Sequence, residues 1–203
     1  MTLLPQFPLR TVLFPTMILP LHVFEPRYRA LVHHILQTDK RFGVVMIEKG
    51  LDTGGEDQRS SFGTVAEIVE AEEFPDGRWS IITVGVERYN VDQWLPDDPY
   101  PLAEVSLWPD GPTPLPDDDF VRVSAKFRRC LALASEAGVD VGQLPSEFDR
   151  SSLGTMQMSA LLPVGSFDKQ KLLGAPGPAE RLASLETAID ETLELIELRL
   201  QGH

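Results

Sequence analysis

A single cysteine, Cys130, is present in 203 residues. A lone thiol has no internal partner, which excludes a disulfide framework and fits a reducing compartment. Long hydrophobic runs are missing too. Apolar residues make up 42% of the chain, yet they never approach the roughly 20 in succession that a bilayer-spanning helix needs. The first residues, MTLLPQFPLR, lack a basic start, a continuous apolar core and a small-residue cleavage site, so no secretory signal is expected. These absences point to a cytoplasmic protein with no membrane contact. Basic residues are also scarce: 18 Lys and Arg face 31 Asp and Glu, a formal net charge of −13. The acidity is uneven. Residues 67–119 hold only Arg78 and Arg88 against fourteen acids, whereas residues 1–50 have more bases than acids. Nucleic-acid binding depends on clustered Lys and Arg, so it is disfavoured.

The motifs of chemistry are absent as well. The sequence holds no G-x-x-x-x-G-K-[ST] phosphate loop, no G-x-G-x-x-G and no G-x-S-x-G, which removes support for nucleotide binding and for a nucleophile elbow. His33 and His34 are adjacent and on a helix point about 100° apart, so they do not share an ion easily. His22 and Glu25 make two ligands, short of the three or four a metal site requires. Cys130 falls at a core position of a helical pattern and reads as a small buried apolar residue. No metal, cofactor or catalytic constellation is expected.

What is present begins with Phe7–Gln37, which crowds prolines, aromatics and charges into one stretch. Phe7 opens the first strand candidate; Val12–Phe14 is a short apolar run stopped by Pro15, and Met17–Val23 a second one broken by Pro20. After Glu25-Pro26, Tyr28, Leu31, Val32, Ile35 and Leu36 recur at helical spacing. Glu25 is placed to meet the free N–H groups of that helix start. Residues 42–47 read as a buried strand and 49–61 as a surface loop. Strands over 62–74 and 79–91 flank the turn Pro75-Asp76-Gly77, with Val65, Val69 and Ala71 on one face and Gly85 marking a bulge or close approach. Leu102–Leu107 is a further strand.

Pro109–Pro116 (PDGPTPLP) is a stiff joint. Asp117–Asp119 then favour a helix start, and Phe120, Val123, Phe127, Leu131 and Ala134 keep helical spacing up to Gly138. Further helices are expected from near Ser146 to Pro163, over Asp168–Leu173, and from Pro178. Leu153, Met156, Leu161 and Leu162 serve as core candidates of the second. Strands first and helices second is an α+β order. The expected organisation is a β domain over 1–108, a joint over 109–116 and a helical subdomain over 117–203.

The stretches FPLRTVLFPTMILPLHVFEPRYRALV, RFGVV, GTVAEIVEAEEFPDGRW and GVERYNV, in this order, resemble the N-terminal substrate-recognition domain of Lon proteases, a domain related to one in cereblon. MSALLPVGSFDKQKLLGAPGPAERLASLETAI is similar to the helical portion that follows it. The resemblance implies a PUA-like, twisted β pseudo-barrel holding one helix, followed by a C-terminal helical bundle. It also implies capture of polypeptides rather than chemistry. With no phosphate loop and no Ser-Lys peptidase segment in view, ATP hydrolysis and proteolysis are expected to be absent, as in stand-alone Lon-domain proteins.

The leading expectation is therefore a module that binds a polypeptide or partner protein, its oligomeric state unspecified. The candidate surface is Phe14, Pro15, His22, Phe24, Glu25, Arg27, Tyr28 and Arg88. Aromatic and Arg side chains dominate interface energetics, although for Phe24 and Tyr28 the favoured reading is that they plug the barrel. Two alternatives compete. One is RNA binding, by analogy with other PUA-like folds; the other is a small-molecule cleft in which His22, Glu25 and Arg88 converge.

Overall fold

The computed structural model describes residues 2–49, 58–111 and 115–201. The chain divides into two compact units, Met1–Pro109 and Asp110–His203. The first contains β1 (Thr2–Leu9), β2 (Ile18–Val23), α1 (Pro26–Ile35), β3 (Arg41–Lys49), β4 (Gln58–Glu73), β5 (Trp79–Leu95) and β6 (Leu102–Leu107). The strands run in the order β2-β5-β4-β3-β1-β6, and β5 pairs with β6 as well. The ladder β5-β4-β3-β1-β6 thus closes on itself. Among the described residues only β1 and β3 pair in parallel.

The length of β5 makes this closure possible. Its first half, Trp79–Val84, pairs with β2, and its second, Tyr89–Leu95, pairs with β6. Between the halves its register against β4 shifts, from Ala66↔Gly85 to Thr64↔Arg88, which bends the strand. Gly85 sits at that bend. Its N–H donates to the Met17 carbonyl at 2.9 Å and its carbonyl accepts from the Thr16 N–H at 2.7 Å. A Cβ there would overlap the Phe14 carbonyl oxygen, so a glycine is required by a close backbone approach.

The helical stripe predicted from the sequence is the one that buries. Tyr28, Leu31, Val32 and Ile35 of α1 pack with Phe7, Leu13, Val23, Phe42, Val44, Ala66, Ile68 and Ile81. At the other end of the ladder Leu4, Val65, Ala103 and Val105 surround Tyr89, whose hydroxyl donates to Gln6 Oε1 at 2.5 Å. Burial pushes that phenol far above its ordinary pKa.

Several expectations change. The first strand ends near Phe7 rather than starting there, because it begins at Thr2. Val12–Phe14 is no strand but a buried connection, its Leu13 carbonyl accepting from Thr64 Oγ1 at 2.6 Å. Glu25 makes no side-chain cap on α1; its carboxylate pairs with Arg27 Nε at 3.1 Å instead. Residues 58–61 belong to β4, with Ser60 buried, and residues 50–57 of the expected loop lie outside the described residues. Val69 leaves the face of Val65 and Ala71: a register shift between Ile68 and Glu70 leaves it unpaired with β5 and exposed.

The second unit is helical: α2 (Asp117–Glu136), α3 (Ser152–Leu161), α4 (Ser166–Leu173) and α5 (Pro178–Gln201). Asp117–Asp119 occupy the first turn of α2 without capping it through a side chain, where the helix dipole favours them. Phe120, Val123, Phe127, Leu131 and Ala134 are buried together with Cys130, whose thiol burial pushes up to about 11. The helix expected from Ser146 starts only at Ser152, after Ser151 Oγ accepts the Leu153 N–H at 3.2 Å. Met156 and Leu162 are buried, whereas Leu153 and Leu161 are half-buried. Arg181 is completely buried: its Nη2 meets Asp110 Oδ1 at 2.6 Å and its Nη1 donates to Thr155 Oγ1 at 2.9 Å.

Candidate functional site

Strand register builds one notable surface. Across β2, β5 and β4, Ile18, Val84 and Glu67 share a row, Pro20, Ile82 and Glu70 the next, and His22, Ser80 and Glu72 a third. Alternate residues of the same strands, among them Val23, Ile81, Ala66 and Ile68, enter the core. Since successive side chains on a strand point to opposite faces, the three rows lie on the outer face. Ile18, at 64% exposure, is among the most exposed large apolar residues of the unit. Pro20 and His22 are exposed, and Ile82 and Val84 are half-buried. An apolar band therefore runs along β2 and β5, bordered by the carboxylates of β4.

At its end stands Phe24, also 64% exposed. A cleft of about 240 Å³ beside it is lined by His22, Val23, Phe74, Arg78 and Trp79. A second cleft, about 190 Å³, includes Phe7, Leu9, Leu21, His22, Phe24, Glu25 and Tyr28. The turn that positions Phe74 and Arg78 is Pro75-Asp76-Gly77; Gly77 has φ +78° and carries the Arg29 guanidinium against it. Arg78 Nε is matched by Asp76 Oδ2 at 2.7 Å.

The backbone edge of β2 is less available than its side chains. Among the described residues β2 pairs only with β5. Gly85 directs both its backbone groups at Thr16 and Met17, and ladder alternation then turns the backbone groups of Ile18, Pro20 and His22 outward. Pro20 has no N–H to offer there, and a proline on an outward edge discourages strand addition. The outer face of these strands therefore offers side chains rather than a strand-adding edge.

The structure brings some predicted site residues together and separates others. His22, Phe24 and Glu25 meet at the clefts. Arg27 lies next to them, its guanidinium carbon 4.5 Å from the Tyr28 ring centroid. Tyr28 reaches a cleft wall but is buried, stacked on Phe7 with centroids 4.2 Å apart. Burial, opposed by Arg27 and aided by Glu25, pushes its phenol up to about 12. Phe24, expected rather to plug the barrel, does not, since it stands 64% exposed; Tyr28 does. Phe14 is fully buried and presents no surface. Pro15 is half-buried and lines neither cleft. Arg88 is buried with its guanidinium carbon 4.4 Å from the Trp108 ring centroid. It is eight residues beyond Ser80, roughly 26 Å along the strand at about 3.3 Å per residue. His22, Glu25 and Arg88 do not converge.

Ile18, Pro20, Phe74, Arg78, Trp79, Ile82 and Val84 were not singled out from the sequence. Their relation depends on which residue of β2 faces which residue of β5, and a single chain carries no direct sign of that. The usable signal was β4, where Glu67 interrupts the apolar alternation. Among the described residues no group of three or more His, Cys, Asp or Glu could hold a metal ion. In the helical unit a cleft of about 260 Å³ contains Arg128 and Phe148, but Arg128 already donates to the Ser146 carbonyl at 2.7 Å and to the Pro145 carbonyl at 3.2 Å.

The family described as the ATP-dependent protease La (LON) substrate-binding domain matches residues 3–191. Lon protease 2 of Herpetosiphon aurantiacus is 29% identical over 202 residues, covering 96% of this chain and 24% of that protein. Lon protease of Dictyoglomus thermophilum is 26% identical, covering 96% of this chain and 25% of that protein. The chain thus spans about a quarter of the length of these relatives. Among solved structures, a Lon N-terminal domain protein from Xanthomonas campestris superposes with a TM-score of 0.70 at 26% identity, over 92% of this chain and 98% of that one. The N-terminal domain of Mycobacterium avium complex Lon protease shares the fold, with a TM-score of 0.63 at 16% identity over 94% of this chain and 99% of that one. Matched along nearly its whole length, the chain belongs to the LON substrate-binding domain family.

Proposed function

We propose that this chain is a non-catalytic polypeptide-binding module of the PUA-like kind, acting in the cytoplasm, and that it binds through the outer face of β2, β5 and β4. The helical unit is read with it as a bundle that accompanies the β domain. One observation carries the reading: Phe24 and Ile18 stand exposed at either end of an apolar band, with clefts on both sides of Phe24. Side chains of this kind, offered on a sheet face whose edge is closed by Pro20, suit an unfolded segment with apolar residues. RNA is disfavoured by Glu67, Glu70 and Glu72 along the same face. The small-molecule alternative loses its cation with the burial of Arg88.

The test is fluorescence anisotropy of the full chain with a labelled, permanently unfolded model protein such as carboxymethylated lactalbumin. Phe24→Ser is expected to raise Kd about tenfold or more, the scale of an interface anchor. Leu3→Ser, at a residue equally apolar and 57% exposed elsewhere in the unit, is expected to leave it unchanged. Equal effects from the two, or none from Phe24→Ser, would overturn the assignment of this face.

A further inference from the structure

The β4 border of this face has carboxylates to spare. Glu67 is matched by Arg41 at 2.8 Å. Glu70 and Glu72, both exposed, have no hydrogen-bond or ion-pair partner among the described residues. The cations nearby are mostly committed. Arg78 pairs with Asp76 and Arg27 with Glu25, while Arg29, held against Gly77, is at the far end of the turn. His22 shares the row of Glu72 across Ser80. What remains is an apolar band with two unmatched carboxylates alongside it.

Resting on the reading of this face as the docking surface, we infer that its ligand is an extended, basic-and-apolar polypeptide segment. Its apolar side chains lie over Ile18, Ile82 and Phe24, and its Lys or Arg residues meet Glu70 and Glu72. The spacing suits it. Glu70 and Glu72 are two apart on one strand, so their Cα atoms repeat at about 6.7 Å, the interval at which an extended segment presents alternate side chains to one face. Two strand spacings, about 9.6 Å, separate β2 from β4, within reach of a long basic side chain from a backbone lying over β5. Complementary charge at such a rim selects partners and speeds encounter.

Two synthetic peptides with the same apolar anchors distinguish this inference from its alternatives, one flanked by Lys and Arg at alternate positions and one by Asp and Glu. In anisotropy titrations at low salt against the full chain, the basic peptide is expected to bind about tenfold more tightly, the scale of two exposed charge pairs. The preference should shrink as salt rises. The double variant Glu70→Gln, Glu72→Gln should abolish most of it. Asp117→Asn with Asp118→Asn, which removes the same charge from the helical unit, should leave it intact and so controls for the overall −13. Equal binding of both peptides, or a preference lost equally in the two double variants, overturns the basic specificity while the docking face stands. Binding of either peptide that ignores Phe24→Ser, or no binding of either, overturns the docking face and the specificity with it.

Discussion

Arg181 is the most demanding side chain in the structure. A guanidinium removed entirely from water is tolerated only when its charge is matched and most of its donors are used; here Asp110, Thr155 and Ser152 meet the two Nη groups, while the buried Nε has no partner among the described residues. The two partners are unequal. Asp110 keeps 20% of its side chain exposed whereas Arg181 keeps none, so removing the acid strands a fully buried cation, while removing the cation leaves an acid that water can reach. Asp110→Ala is therefore expected to cost about 3–5 kcal/mol, and Arg181→Met less. Urea unfolding followed by far-UV circular dichroism, which reports the helices, would show the order; a larger loss for Arg181→Met would refute it. Tyr28 gives a residue-scale expectation in pH. Its folded-state pKa is raised to about 12 from about 10 in the unfolded chain, so the folded form holds the phenolic proton more tightly. Its contribution is complete below about pH 10 and is lost as pH rises towards 12, by about 2–3 kcal/mol in all. Tyr28→Phe should keep more of its stability over that window than the unaltered chain. Parallel decline of the two urea midpoints would show that Tyr28 is not the cause.

At the scale of elements, β5 governs the β unit, since it pairs with β2, β4 and β6. Its bend at Gly85 is where one strand serves two neighbours. Gly85→Ala forces the added methyl into the Phe14 carbonyl, and overpacking of this kind costs about 1–3 kcal/mol. Tryptophan fluorescence is the suitable probe, because Trp79, Trp94 and Trp108 all lie in this unit; an unshifted urea midpoint would contradict the close approach. The element-level reading from sequence succeeded where local signals agreed. The stripe of α1 followed from its spacing, and the turn at Pro75-Asp76-Gly77 from its residue types. It failed at Val12–Phe14, where an apolar run looks like a strand. Burial satisfied these residues without a ladder, because a side chain, Thr64, takes the Leu13 carbonyl. It failed again at Ser146, since a helix start depends on which serine actually accepts an N–H, and that is Ser151.

For the molecule as a whole, strands followed by helices were readable as α+β because periods of two and of 3.6 residues are local properties of the chain. So were the family and the scarcity of basic residues, both written in residue identity. The proposed docking face was only half readable. Phe24 and His22 were visible as an aromatic and an imidazole beside a helix start, but the burial of Phe14 and Arg88 was not. Nor could the row of Ile18, Val84 and Glu67 be foreseen, because a one-residue slip of β2 along β5 would send every one of those side chains to the other face. The sequence by itself determined the kinds of element, their order and the family to which they belong. The tertiary structure alone decided which side of β2 meets water, and with it that Phe24 is exposed while Tyr28 fills the core, since register and burial arise from contacts between residues far apart in the chain.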